Sequence, residues 1–390
     1  MKVLHICLAS FYIDNFSYQE NLLPKYHKKL GLDVEILASL QTFDANGNIS
    51  YFEKGREYIN ENGIPVKRLE FKKAKGSRKF RLYEGTYSSI SKSKPDIIFI
   101  HGCQFLDIKE VVRFVRQHPH IKVFVDNHAD FSNSARNWLS KNILHKIIWK
   151  YCAKIIAPYT TKFYGVLPAR VSFLENVYGI PRDQIELLVM GADDEKVEEA
   201  QNQRYKQGIR QEFNIKDDDF LIVTGGKIDK AKTQTLYLME AVNKIKKENL
   251  KLIVFGSIIN EMKEEVMKFV DGKKIQYIGW IQAEESYKYF AVADLVVFPG
   301  RHSVFWEQVA GQGIPMIVKY WDGTTHIDVG GNCQFLYEDS VGEIKEKINN
   351  ILIDKSMYKN MKLIAEKHGM EQFSYQKIAQ RSIEEITKKL

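Results

Sequence analysis

The chain has 390 residues, of which 44% are hydrophobic and 27% charged. This is enough for two or three domains with buried cores, and it excludes a disordered chain. No apolar run reaches the roughly 18 residues needed to span a bilayer. The four cysteines, Cys7, Cys103, Cys152 and Cys333, lack CxxC or metal-ligand spacing, which fits reduced thiols in a cytoplasmic protein.

The first segment, KVLHICL (2–8), is apolar but short. It runs into polar YIDNFSYQEN with no small-residue cleavage site, so a first buried strand is expected rather than a signal peptide. Further strand candidates follow at 33–39, 96–102, 122–128, 154–158 and 185–191. A second series lies at 220–226, 251–257, 275–279, 295–300 and 314–320. Most are continuous apolar runs, as parallel strands buried on both faces should be. Helix-length segments such as 18–30, 234–248 and 261–270 separate many of them. Strand–helix alternation of this kind predicts α/β domains with doubly wound parallel sheets.

Between the two series lies a polar, charged connection, 193–213, and the chain ends in a helical pattern, 371–390. The expected organisation is an N-terminal Rossmann-like domain at 1–193 and a C-terminal Rossmann-like domain at 194–370. The helix at 371–390 is expected to pack back toward the first domain. Residues 1–193 hold 28 Lys and Arg against 19 Asp and Glu, so the positive excess lies in the first half. Such a half suits an anionic partner, though it also serves solubility alone.

Three segments point to chemistry. In PGRHSVFWEQVAGQGIPMIV (299–318), a strand turns at Pro299–Gly300 and enters a short helix containing Glu307. A carboxylate so placed can accept both hydroxyls of a ribose, or it can merely cap its helix. In GGKIDKAKTQTLYLMEAV (225–242), Gly226 ends a strand and Lys227 and Lys232 flank the loop before a helix. Two lysines and a helix start suit a diphosphate, although loop lysines are often only solvated. The third segment, NVYGIPRDQIELLVMGADDEKV (176–197), leads out through Met190–Gly191–Ala192–Asp193.

Together these segments resemble family 4 of the retaining glycosyltransferases (glycosyl transferases group 1), whose two-domain architecture is called GT-B. GIPRDQIELLVMGADD stands where that family has GVP…NGVD. Lys227 and Lys232 take the Arg and Lys positions of GR-x-x-x-x-KG, and EQVAGQGIPMIV matches EA-x-A-x-G-x-PVI. The resemblance implies two Rossmann-like domains facing a cleft. It implies Glu307 as the ribose-binding carboxylate and Lys227 and Lys232 on the donor diphosphate. Gly226 and the loop His302, Ser303 and Val304 join the donor-binding set. His128, in DNHADFSNS (126–134), matches a histidine that contacts the donor sugar. Tyr18, Gln19, His101, Asn127 and Asp130 are further sugar-positioning or acceptor-side candidates.

One departure concerns the family's earlier glutamate, in E-x7-E. Pro299 stands eight residues before Glu307, and the loop is about four residues shorter. Arg301, His302 and Ser303 fill its place. The implied activity is transfer of a sugar from a nucleotide-diphosphate donor, UDP-linked, to a glycan or lipid-linked acceptor with retention. Surface polysaccharide or glycoconjugate synthesis is the expected setting. No cofactor and no metal are expected, because no carboxylate pair stands in a suitable loop. The alternatives are another GT-B enzyme, such as an inverting transferase or an epimerase, and a catalytically silent sugar-nucleotide-binding subunit. No zinc spacing or base-reading motif points to nucleic acid.

The segment WLSKNILHKIIWKY (138–151) bears on the acceptor. At 100° per residue, Leu139, Ile143, Leu144, Ile147, Ile148 and Tyr151 form one apolar face, expected to pack on the sheet. Trp138 and Trp149 then fall together on the outward face, beside Lys141 and Lys146. That composition predicts an anchor on an anionic membrane surface and a peripheral location on its cytoplasmic side.

Overall fold

A computed structural model of the chain describes residues 1–9, 11–44, 48–135, 137–230 and 233–387. The chain divides into two compact units. One is Met1–Val189 together with the segment from Ile378, and the other is Met190–Lys377.

The first unit is built on β1 (Lys2–Cys7), β2 (Asp33–Ser39), β5 (Arg56–Ile59), β6 (Pro65–Leu69), β7 (Ile97–His101), β8 (Lys122–Asn127), β9 (Thr160–Gly165) and β10 (Ile185–Leu187). Their order across the sheet is β10-β9-β8-β7-β1-β2-β6-β5, parallel throughout except for the edge strand β5. The short strands β3 (Gln41–Phe43) and β4 (Ile49–Tyr51) pair separately and antiparallel. β7 reads IIFIH with every residue buried, the pattern of a parallel strand covered on both faces. The direction of winding reverses between β1 and β7. Loops after strands at such a reversal are where doubly wound sheets bind ligands.

The apolar run 154–158 is not a strand. It closes α2 (Lys150–Ile156) and a 3-10 turn, and the strand follows it as β9. A short apolar run does not distinguish a buried strand from a buried helix turn.

Ahead of α2, residues Ser140–Trp149 form a π-helix, in which the Lys150 amide reaches back five residues to His145 O. Each residue of a π-helix turns through less than 100°, so over eleven residues the lag adds up to about half a turn. Trp138 and Trp149 therefore part company. Trp138 is 70% exposed, while Trp149 is 6% exposed and sits in the core with Cys152, Ala153 and Ile156. The inward stripe is His145 and Trp149, with Leu144 and Ile148 half-buried beside it. Leu139, Ile147 and Tyr151, expected inside, are exposed.

The second unit holds β11 (Phe220–Gly225), β12 (Leu250–Phe255), β13 (Ile275–Tyr277), β14 (Leu295–Phe298), β15 (Met316–Lys319) and β16 (Cys333–Leu336). The order is β13-β12-β11-β14-β15-β16, all parallel. Winding reverses between β11 and β14. α3 (Gln234–Lys244) follows β11, and α4 (Phe305–Gly311) follows β14. Glycines let the loops approach: a Cβ on Gly225 would sit 2.1 Å from the Phe255 ring, and one on Gly256 would sit 2.0 Å from Gly226 O. Near the C-terminus, α5 (Tyr375–Ser382) contributes Ile378, Ala379 and Ser382, all fully buried.

Candidate active site

Residue Glu307 lies in the first turn of α4 and is fully buried. Its Oε1 accepts from His302 Nε2 at 2.7 Å and from His326 Nε2 at 2.9 Å. Its Oε2 is buried with no partner. Burial alone would raise the carboxyl pKa, but the two imidazoles more than reverse this and hold it well below the usual carboxylate range. The result is a fixed, ionised carboxylate with one oxygen satisfied and one not. An unsatisfied buried charge-bearing oxygen is costly unless a ligand donates to it.

Each partner is held in turn. His302 comes from the shortened loop after β14, and its ring meets the buried Trp306 edge-on at 5.0 Å. His326 comes from a 3-10 turn, Thr325–Ile327, after β15. Asn332 pins that turn, donating to Ile327 O at 3.1 Å and accepting from Val329 N at 2.7 Å. The sequence reading missed His326, because it lies nineteen residues beyond Glu307 with no motif of its own. Its Nδ1 is also buried without a partner.

The loop after β11 stands next to that after β14. A Cβ on Gly300 would lie 3.4 Å from Gln234 Oε1, at the first residue of α3, and this oxygen is buried without a partner. Gly226, at φ +131, lies one residue past the end of β11, which closes at Gly225. Lys227 is exposed and lies 3.8 Å from Asp229. Lys232 falls outside the described residues. Ser303 and Val304 precede α4, and the Ser303 carbonyl accepts from Trp306 N at 3.0 Å. Gln234 is a second residue the sequence reading did not single out.

In the first unit, the ends of β7 and β8 and the start of α1 (Gln19–Lys29) gather a buried polar cluster around Asp126. Asp126 Oδ2 accepts from His101 Nδ1 at 2.7 Å and from Gln19 Nε2 at 3.2 Å. Asp126 Oδ1 accepts from Gly102 N at 3.2 Å. His128 Nε2 lies 3.2 Å from Asp126 Oδ1 and 4.0 Å from Glu20, near enough for ion pairing but out of line for a hydrogen bond. Burial lowers the His128 pKa, yet Asp126 and Glu20 outweigh it and the net direction is upward. Burial would raise that of Asp126; His101 and His128 hold it well below the carboxylate range. His128 keeps about a quarter of its side chain exposed, so it is the member of this cluster open to a ligand.

The other candidates divide. His101 is fully enclosed and reaches Asp126 rather than the surface. Asn127 is buried and spends its amide on Ala129 O and Arg170 O. Asp130 caps its own turn through Ser132 N and Asn133 N and pairs with Arg170 at 3.1 Å. Tyr18 precedes α1 as its N-cap, with burial raising its phenol pKa. The sets His101–Asp126–His128 and His302–Glu307–His326 each bring three polar atoms within 4.8 Å. Within them, Glu307 Oε1 accepts from both imidazoles, and Asp126 accepts from His101 with His128 beside it. A metal-binding histidine ordinarily has its second nitrogen supported, whereas His326 Nδ1 has no partner.

Two units built on parallel sheets of this winding define the GT-B fold. Residues 205–368 match the family model for glycosyl transferases group 1. Over its full length the chain is similar to several solved structures. A glycosyltransferase from Rickettsia africae ESF-5 is 14% identical, with a TM-score of 0.66 over 99% of this chain and 98% of that one. Anabaena Alr3699/HepE, solved in complex with UDP, is 13% identical, with a TM-score of 0.66 over all of both chains. A UDP-GlcNAc 2-epimerase from Neisseria meningitidis, bound to UDP-GlcNAc, is 12% identical, with a TM-score of 0.65 over all of both. No curated protein matches the sequence.

Proposed function

We propose that the chain transfers a sugar from a UDP-linked donor to a glycan or lipid-linked acceptor with retention at the anomeric carbon. The observation that carries this reading is the half-satisfied carboxylate of Glu307, with Oε1 occupied by two imidazoles and Oε2 buried and free. A ribose hydroxyl is a donor of the right kind for that oxygen. Beside it, the start of α3 and the loop carrying Lys227 offer backbone N–H groups and positive charge to a departing diphosphate. Lys232 belongs to the same proposed set; within the first unit, His128 is the residue proposed to contact a sugar. Charge neutralisation by these groups makes a divalent ion unnecessary, so we place the chemistry among metal-independent transferases. The likeness to HepE, solved with UDP, supports the choice of nucleotide.

The test is a panel of nucleotide sugars, scored for nucleotide release with and without EDTA, together with calorimetric titration of UDP. Glu307→Gln and His326→Ala are each expected to weaken UDP binding by about tenfold to a hundredfold, the scale of a lost hydrogen bond to a charged group. Unchanged affinity in folded variants would remove Glu307 from the nucleotide site. A second reading, a sugar-nucleotide epimerase, draws on Pro299 in place of the family's earlier glutamate and on the likeness to the Neisseria enzyme. Isomerised donor without nucleotide release would select it.

The acceptor is proposed to lie at an anionic membrane surface on the cytoplasmic side. Trp138, Leu139, Ile147 and Tyr151 are exposed together with Lys141 and Lys146 on one segment of the basic first half.

A further inference from the structure

A row of buried imidazoles runs through the first unit. His27 Nδ1, in α1, lies 3.0 Å from His5 Nε2, in β1. His5 Nδ1 lies 3.0 Å from His101 Nε2, at the end of β7, and His101 Nδ1 lies 2.7 Å from Asp126 Oδ2. At the far end, His27 Nε2 faces Ser382 Oγ at 2.8 Å and Ala379 O at 3.3 Å, both in α5. His5, His27, His101, Asp126 and Ser382 are all fully buried.

A neutral imidazole has one N–H and one lone pair, so each contact in the row needs one donor and one acceptor. Choosing one tautomer fixes all the others. With Asp126 ionised and the three rings neutral, every ring carries its proton on Nδ1. His101 donates to Asp126, His5 to His101 and His27 to His5, while the Ser382 hydroxyl donates to His27 Nε2. One added proton inverts the row. It enters at His27 Nε2, the His27 Nδ1 proton passes to His5 Nε2, and the His5 Nδ1 proton passes to His101 Nε2. His101 then holds two protons beside the Asp126 carboxylate. His27 Nε2 now donates toward α5, and the Ser382 hydroxyl turns to Ala379 O, 2.8 Å away. Burial and the neighbouring rings keep His5 and His27 themselves from holding the charge.

We propose that His27, His5 and His101 form a proton relay that joins the Asp126–His128 cluster to α5, with His101 the positioning residue through which the relay sets the charge beside His128. The role of the relay in transfer rests on the donor-facing reading of His128; its existence does not. Glu20, His128, and Arg170 with its partner Asp130 are the charged groups at the Asp126 end. At the other end, Glu186, Glu384 and Glu385 act on Tyr164, whose hydroxyl donates to Ser382 O at 3.1 Å.

The test is two-bond 1H–15N correlation NMR of the full chain, labelled with 15N-histidine and titrated with acid. The expected result is His5 and His27 both protonated on Nδ1 at alkaline pH, moving to Nε2 together with a single midpoint. Ser382→Ala removes the donor to His27 Nε2 and is expected to raise that midpoint by about one pH unit, a tenfold change in proton affinity. His128→Gln is expected to raise it as well, by removing positive charge beside Asp126. A merely structural serine would lower stability and leave the midpoint in place, which overturns the proposal. Protonation on Nε2 throughout, on Nδ1 throughout, or separate midpoints also overturns it. Nucleotide release, measured on the same samples, reports on the proposed function independently.

Discussion

At the scale of single residues, the two buried carboxylates are stabilised in the same way, each by a pair of imidazoles. Glu307 leans on His302 and His326, and Asp126 on His101 with His128 beside it. The histidines behind Asp126 carry a cost in acid. His27 is lowered to about 3 by burial first, and His5 is lowered in the same direction. Both have depressed folded values, so the stability tied to them is present above the unfolded value of about 6.5 and is lost as pH falls below it. Each is expected to remove about 1.4 kcal/mol per pH unit between roughly 6.5 and the folded value. Urea unfolding from pH 8 to pH 5 should show this loss, and His27→Gln should make the slope shallower. A slope unchanged in the variant would mean that His27 is already charged in the native state. Glu307 was legible in the sequence because it stands within a contiguous motif. His326 and the row His27–His5–His101 were not, because their members come from separate strands and loops whose adjacency only the sheet order creates.

At the scale of elements, the segment 138–156 shows how a correct apolar pattern can be assigned the wrong faces. Helical reasoning at 3.6 residues per turn placed both tryptophans outside, whereas the π-helix at Ser140–Trp149 turns Trp149 inward. Nothing in composition signals an i→i+5 turn. Two opposite outcomes follow. Trp149→Ala removes a core side chain and is expected to cost about 3–5 kcal/mol in denaturant unfolding, without a specific effect on lipid binding. Trp138→Ala with Ile147→Ser leaves the core alone and is expected to weaken flotation with anionic vesicles at low salt. Lys141 and Lys146 should each add on the order of 1 kcal/mol to that attachment, lost at high salt. Wild type remaining unbound at low salt would point to a soluble acceptor. The strand–helix alternation was legible because parallel strands are apolar on both faces. The short, half-polar strands β5, at the sheet edge, and β6, beside it, lacked that signal.

At the scale of the whole molecule, the first unit is not one continuous stretch of sequence. It takes back the segment from Ile378, and with it Ile378, Ala379 and Ile383, all buried. A chain ending at Lys377 would remove these side chains while leaving the second unit's residues intact. Fully burying an isoleucine contributes about 1.5–3 kcal/mol. The two isoleucines therefore account for about 3–6 kcal/mol, before adding the unpaired polar group left at His27 Nε2. Against a typical domain stability of about 5–15 kcal/mol, such a loss brings the first unit close to unfolding. Hydrogen exchange read by mass spectrometry should therefore show β1, β7 and β8 losing protection in the truncated chain. β11, β12 and β14 should keep theirs, and the second unit should still bind UDP through Glu307. Equal protection of β1, β7 and β8 in both chains would show that the C-terminal segment is dispensable to the first unit. Equal loss in β11 and β12 would show that the two units unfold as one.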